Sequence, residues 1–304
     1  MADTTIDAAV HANNPRGMRS VVFTNSTIGY VFEIDGDGDF YYRKTTNGGL
    51  TWGNIVTIYS GEVTEHAFDV WYDQWTPGDT GRLIHIWHFG ITNDSVFYLS
   101  LNTANDILSG QVTVFNGASS TSARGSFCSG TKTRGGNLNV AFDIDAGAEH
   151  GLYRSIDNGA TWGSRTDPIE ATIDQCLLFP ANAADPQDFW MLYQDASTDE
   201  LTIKTHDDSA NTNSESAALT MAENITDATG QYGFSGSIRH SDGHLIFAYL
   251  DAYDAAGASD FKVYDWDGAT ATALTDIATN VQDIYYPSVF LNQDQPDWIY
   301  IAYL

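Results

Sequence analysis

Positive charge is scarce in this sequence: 13 Lys and Arg stand against 40 Asp and Glu, a formal net charge of −27 over 304 residues. A field of that sign repels polyanions, which excludes nucleic acid and anionic membrane as partners. It suits solubility or Ca²⁺-rich surroundings instead. Cysteine is scarcer still. Cys128 and Cys176 can form at most one bridge, so no disulfide framework holds the fold. Both sit in apolar, strand-like stretches, which favours buried thiols over a bridge. No apolar run approaches the ~18 residues of a membrane span. The opening MADTTIDAAV lacks the basic and apolar regions of a signal peptide, so the sequence reads as soluble and not inserted in a membrane. There is no CxxC pair, Gly-rich phosphate loop or Ser-His-Asp order. His85 and His88, three apart on a strand, point to opposite faces and do not make a metal pair.

What is abundant points to strands and turns. Hydrophobic residues make up 42% and aromatic residues 13%, enough for a substantial core, and turn-forming Gly, Asn and Asp punctuate the chain. Six aromatic-rich segments recur, at 29–35, 83–89, 138–144, 189–195, 245–251 and 298–304, with starts 54, 55, 51, 56 and 53 residues apart. A period near 50 with several strands per unit is the mark of propeller blades. Each unit reads as an inner strand a, the recurring segment as strand b, then strands c and d. This predicts one domain, 1–304, an all-β six-bladed β-propeller of four-stranded antiparallel blades. The sixth unit contains no c or d strand, and residues 4–10 are expected to close the ring by adding an outer strand to it. Residues 209–217 are expected to form a polar loop between strands c and d of blade four.

Two units also share a motif, 110 residues apart: Thr45-Thr46-Asn47-Gly48-Gly49-Leu50-Thr51-Trp52 and Ser155-Ile156-Asp157-Asn158-Gly159-Ala160-Thr161-Trp162. The Asn or Asp side chain can accept from backbone N–H groups ahead of it and hold a tight turn. The Gly accepts backbone angles other residues resist, and the Trp offers a large ring to bury between neighbouring sheets. The pattern resembles the Asp-box (BNR) repeat of sialidase-like β-propellers. It falls on c–d turns, opposite the face where sialidases keep their site. Asn47, Gly49, Trp52, Asp157, Gly159 and Trp162 are therefore expected to be structural.

The resemblance implies a site on the other face, of d–a and b–c connections. Sialidases hold a sugar carboxylate with three arginines and use a Tyr nucleophile, its Glu partner and an Asp acid/base. Here Arg16 stands near the first arginine position, in a broken motif. Asp35, Asp37 and Asp39 occupy the loop of the acid/base, and Tyr285-Tyr286 that of the nucleophile. Asp174-Gln175 stands where the Glu partner would be. The other two arginines are missing from their places; Arg134 and Arg239 fall in a–b turns on the wrong face, leaving Arg19 and Arg124. That set argues against a sialidase.

On the residues themselves, Tyr232, Phe234, Tyr253, Tyr285 and Tyr286 lie in or beside loops of the site face, and rings with carboxylates and amides around them can hold sugars. The candidate ligand set is Arg16, Asp37, Tyr232, Tyr285 and Tyr286. His66 and His150, beside Glu65 and Glu149, also fall on that face, as an acid–base pair or as solvated loop. Asp35, Asp37 and Asp39 alternate as in a Ca²⁺ loop, without the Gly and Glu of an EF-hand; a Ca²⁺ site and a plain acidic turn both fit.

Residues 68–81, FDVWYDQWTPGDTG, are similar to a segment of uncharacterised Asp-box proteins of tailed phages. That resemblance implies a non-enzymatic virion-associated propeller: a capsid decoration, head fibre or glycan-binding adsorption module. Its partners would be other virion proteins and host surface glycans. Release by lysis would need no signal peptide. The alternative is a glycoside hydrolase that keeps the scaffold and acts on a surface glycan with another carboxylate set.

Overall fold

Strands whose side chains alternate between two buried faces can stack sheet upon sheet, and this chain does so repeatedly. The computed structural model describes residues 16–17, 19–35, 38–60, 67–90, 95–117, 127–145, 149–166, 173–195, 200–215, 234–251, 260–274, 288–292, 294–295 and 297–302. A short strand, β1 (Arg16–Gly17), precedes sheet one, which comprises β2 (Val21–Phe23), β3 (Gly29–Ile34), β4 (Phe40–Thr45) and β5 (Val56–Tyr59). Sheet two holds β6 (Ala67–Tyr72), β7 (Leu83–Gly90), β8 (Ser95–Asn102) and β10 (Val112–Asn116). Two more strands join it: β9 (Ile107–Leu108) on β8, and β1 in parallel on β6.

Sheet three is β11 (Phe127–Lys132), β12 (Leu138–Asp145), β13 (Glu149–Ser155) and β14 (Gly163–Ser164). Sheet four is β15 (Ile173–Pro180), β16 (Phe189–Asp195), β17 (Glu200–Asp207) and β18 (Thr212–Glu215). Sheet five is β19 (Phe234–Ile238), β20 (Leu245–Asp251), β21 (Asp260–Trp266) and β22 (Ala271–Ala273), and a sixth sheet pairs β23 (Ser288–Leu291) with β24 (Ile299–Ala302). Neighbouring strands within the sheets are antiparallel, β1 apart. The helical content of the described residues is one 3₁₀ turn, Asp73–Trp75.

The first strands of sheets two to six stand side by side in chain order. Their inner edges carry N–H groups outside their own sheet's ladder, and side chains from the preceding sheet supply acceptors to several of them. Gly130 N donates to Asp69 Oδ2 at 2.8 Å, Leu178 N to Ser129 Oγ at 3.0 Å, and Val289 N to Ser235 Oγ at 3.0 Å. Asp69, Ser129 and Ser235 are short polar residues of β6, β11 and β19, and each ties its own sheet to the next.

The apolar core lies between the sheets. One cluster runs from sheet two to sheet five through Trp71, Trp87, Phe142, Phe179, Trp190 and Phe247. Smaller ones join sheets one and two, three and four, and five and six. Cys128 and Cys176 are not joined in a disulfide, and both are buried within these clusters.

Both copies of the repeated motif form the connection between the third and fourth strands of their sheets. The bonds match. Gly49 N donates to Thr45 Oγ1 at 3.0 Å and Thr51 N to Asn47 Oδ1 at 2.9 Å; Gly159 N donates to Ser155 Oγ at 2.8 Å and Thr161 N to Asp157 Oδ1 at 2.8 Å. Gly49 and Gly159 take left-handed φ values of 84° and 87°.

Two expectations need correction. Trp162 packs on Trp87 and Tyr98 of the preceding sheet, but Trp52 lies edge-on to Phe23 of its own sheet. Within 209–217, Thr212–Glu215 is a strand, not loop. An outer edge strand needs only backbone pairing to β17, which its polar residues permit. Residues 4–10, expected to close the ring, lie outside the described residues; among those described, sheet six has two strands.

Candidate functional site

Connections from the second to the third strand, and from each sheet to the next, share the face predicted to carry a ligand. Most of that face, including Asp37, Tyr232, Tyr285 and Tyr286, lies outside the described residues, as do His66 and Arg124. The backbone of Arg16 pairs with Ala67, which places it at the inner edge of sheet two. Asp35 and Asp39 close the β3–β4 connection: Asp35 Oδ1 accepts from Asp39 N at 2.9 Å, and Asp35 O from Gly38 N at 3.1 Å. One oxygen of the expected calcium set is thus engaged in the turn. Among the described residues, no three His, Cys, Asp or Glu side chains converge to hold a metal.

Arg19 is drawn inward instead. It precedes β2, and its guanidinium crosses to the first strands of sheets two, three and four. Nε donates to Asp69 Oδ1 at 2.9 Å, Nη1 to Leu178 O at 3.2 Å, and Nη2 to Gly130 O at 2.6 Å and Ser129 Oγ at 3.1 Å. A second bond joins Nη2 to Asp69 Oδ2, making the pair bidentate. The guanidinium lies 4.7 Å from the Trp71 ring centroid and 5.6 Å from that of Phe179.

Burial pushes the Asp69 carboxyl upward, and the Arg19 guanidinium and the N–H groups of Gly130 and Val70 pull against it. A fully buried carboxylate is tolerated only with such partners. The same contacts use the planar fork that would grip a ligand carboxylate, so Arg19 is a clasp between sheets, not a free binding group.

A second polar cluster lies towards the opposite face, around the turn after β6. His85 Nε2 is 2.9 Å from Asp73 Oδ1 and His85 Nδ1 is 2.8 Å from the Tyr98 hydroxyl. Lys132 Nζ donates to Asp73 Oδ1 at 2.6 Å and bridges to Asp79 Oδ2 at 2.7 Å. Since Asp73 accepts, Nε2 carries the proton and Nδ1 accepts from Tyr98. Burial works against the Asp73 carboxylate, but bonds from His85, Lys132 and the Leu83 N–H outweigh it and hold the group at about 2. Burial pushes His85 down against the pull of Asp73. Burial also opposes the Lys132 charge, yet the two carboxylates raise its pKa.

An Asp–His pair of this geometry is the core of an acid–base relay. Here both side chains are at most 2% exposed, so no substrate reaches them. The cluster fixes the turn: a Cβ on Gly81 would fall 2.1 Å from Asp73 Oδ2. Residues 68–81, singled out in sequence, therefore supply Asp69 to one network and Asp73 and Asp79 to the other.

Arg134 and Arg239 do lie in turns between first and second strands. Arg134 Nε donates to Ala181 O at 2.8 Å, and Arg239 pairs with Asp242 at 2.6 Å and Asp265 at 2.7 Å. Sequence reasoning missed Asp69 and Asp73. The available signal for Asp69 was a carboxylate inside the otherwise apolar run AFDVWY of β6.

No protein-family profile and no curated protein matches this sequence. Solved structures do. Trypanosoma rangeli sialidase in complex with sialic acid aligns with a TM-score of 0.58 at 12% identity, covering 96% of this chain and 52% of that one. A polysaccharide lyase, ulvan lyase, aligns with a TM-score of 0.56 at 12% identity, covering 91% of this chain and 76% of the lyase. The Aleuria aurantia fungal lectin, a six-bladed β-propeller with a distinctive mode of fucose recognition, aligns at 0.50 and 12% identity, covering 90% and 84%. At these identities the shared property is the fold, and the chain has a sialidase-like β-propeller fold.

Proposed function

We propose that this chain is a six-bladed propeller, its ring closed by residues 4–10 on the edge of β24, that serves as a non-enzymatic glycan-binding module on a tailed-phage particle. The observation that carries the non-enzymatic reading is the engagement of Arg19 by Asp69. An acidic sugar needs several convergent guanidinium groups, and in this strongly acidic chain Arg19, one of the few remaining candidates, is already engaged by Asp69. A neutral glycan held by rings and carboxylates has no such need. Tyr232, Tyr285, Tyr286 and Asp37, with Arg16, are the residues assigned to it. Asp35, Asp37 and Asp39 are assigned to Ca²⁺ should binding prove metal-dependent. The similarity of segment 68–81 to phage Asp-box proteins supports the virion placement, as capsid decoration, head fibre or adsorption module.

The likeness to a sialidase and a lyase favours one other reading, a glycoside hydrolase acting on a surface glycan. Glycan-array binding and turnover of fluorogenic glycosides separate the two. Binding without turnover is the expected result; turnover abolished by Tyr286→Phe or Asp37→Asn would sink the non-enzymatic reading. Mass spectrometry of purified virions tests the placement, and absence of the chain from particles would refute it.

A further inference from the structure

Where sheets three and four face each other, buried polar atoms without partners among the described residues gather: Thr131 Oγ1, both amide atoms of Asn139, His206 Nε2 and Arg165 Nε. Thr131, Asn139 and His206 are all fully buried. Strand alternation shows where they point. Phe127 and Ala141 pack against Cys176, Leu178, Phe189 and Met191 of sheet four. Thr131 and Asn139 share their parity on β11 and β12, and register sets Thr131 beside Asn139 and Asn139 beside Arg154. On sheet four, His206 pairs with Phe189 and stacks on its ring at 4.7 Å.

The outer rim of this seam is sealed by polar contacts. Arg154 Nη1 bonds both Asp208 oxygens at 2.6 and 2.7 Å, Arg165 Nη2 donates to Asp208 O, and Asn213 Nδ2 donates to Thr166 O at 3.3 Å. Chemistry selects the occupant. His206 Nδ1 lies 2.7 Å from Asn213 Oδ1 and so carries the proton, which leaves Nε2 an acceptor. Arg165 Nε is a donor; Thr131 and Asn139 can do both. An anion would meet His206 Nε2 and Asn139 Oδ1, acceptors of its own kind, and a cation would meet Arg165. Water donates twice and accepts twice, and buried polar groups left without partners are costly.

We propose that the seam between sheets three and four holds ordered internal water that bridges Thr131 and Asn139 to His206 and Arg165. This makes it a hydrated joint beside the apolar cluster that packs the rest of the same seam.

A high-resolution crystal structure decides it. Water within hydrogen-bond distance of Asn139 and of at least one of Thr131, His206 and Arg165 is the expected result. Dry density, or side chains turned onto protein partners, overturns it. Thr131→Val, near-isosteric and safe for folding, gives a second readout. If water bridges the hydroxyl, the melting temperature falls by about 2 °C. An unchanged or raised melting temperature means an unpaired oxygen was removed from a dry seam, and the proposal fails.

Discussion

The turn after β4 and the turn after β13 use the same hydrogen bonds, yet their tryptophans end in different places. In both, a hydroxyl accepts from the Gly N–H and an Asn or Asp oxygen accepts from the Thr N–H, all within five residues. Trp162 reaches the sheet before its own, lying 5.3 Å from the Tyr98 ring and 6.5 Å from that of Trp87. Trp52, whose preceding neighbour around a six-bladed ring would be the two-stranded sheet six, folds onto Phe23 instead, at 6.4 Å. Local chemistry builds the turn, and the neighbouring sheet decides what the turn is for.

The glycines should separate the two copies most. A Cβ at position 159 would lie 1.9 Å from Tyr98 Cε1, besides a φ of 87°. At position 49 the nearest atoms, on Phe23 and Trp52, are 3.8 Å away and only the left-handed φ matters. Gly159→Ala should therefore cost about 3–4 kcal/mol and Gly49→Ala about 1 kcal/mol in guanidinium unfolding. Equal losses would mean that Tyr98 yields freely and that the second turn is not wedged between sheets.

Trp162→Ala comes next, with an expected loss of about 2–3 kcal/mol against about 1 kcal/mol for Trp52→Ala. Near-UV circular dichroism should change more for Trp162, because its ring couples to Trp87 and Tyr98. If Trp52→Ala is the costlier change, the first ring is buried in solution by something other than Phe23.

Where the copies are alike, they should respond alike. Ser155→Ala and Thr45→Ala each remove the oxygen that accepts the Gly N–H, and each should cost about 1 kcal/mol by thermal unfolding. A difference of more than about twofold would show that the turns are not energetically equivalent despite their geometry.

The smallest effect distinguishes Asp157 from Asn47. The Thr161 hydroxyl, the Thr161 N–H and the Ser155 hydroxyl hold the exposed Asp157 carboxyl at about 2, below its unfolded value near 3.9. A depressed carboxyl contributes stability that is complete above the unfolded value and is lost as pH falls through about 2. Asn47 does not titrate. Asp157→Asn should flatten the fall of melting temperature below pH 4, and Asn47→Asp should steepen it. Parallel curves for wild type and Asp157→Asn would remove the carboxylate from the account of that turn.

Much of the fold was legible because strands and turns depend on neighbours in sequence. The segments 189–195 and 245–251 match β16 and β20 residue for residue, since a run such as FWMLYQD has apolar side chains for both faces of a buried strand. Thr212–Glu215 was illegible for the opposite reason: an edge strand of polar residues has no pattern to read. In the candidate site, the Arg19 clasp was hidden by distance. Its acceptors lie 50, 110, 111 and 159 residues away, and an Arg before a strand looks the same whether it meets a ligand or Asp69.

The sequence by itself determined the two turns, the alternation of the strands and their repeat, because each rests on bonds closed within a few residues or on a period of two. Tertiary structure alone decided that Arg19 is neutralised by Asp69 and that Trp162 serves sheet two while Trp52 does not. Those outcomes depend on which sheet stands beside which around the axis, and no local spacing encodes that neighbour.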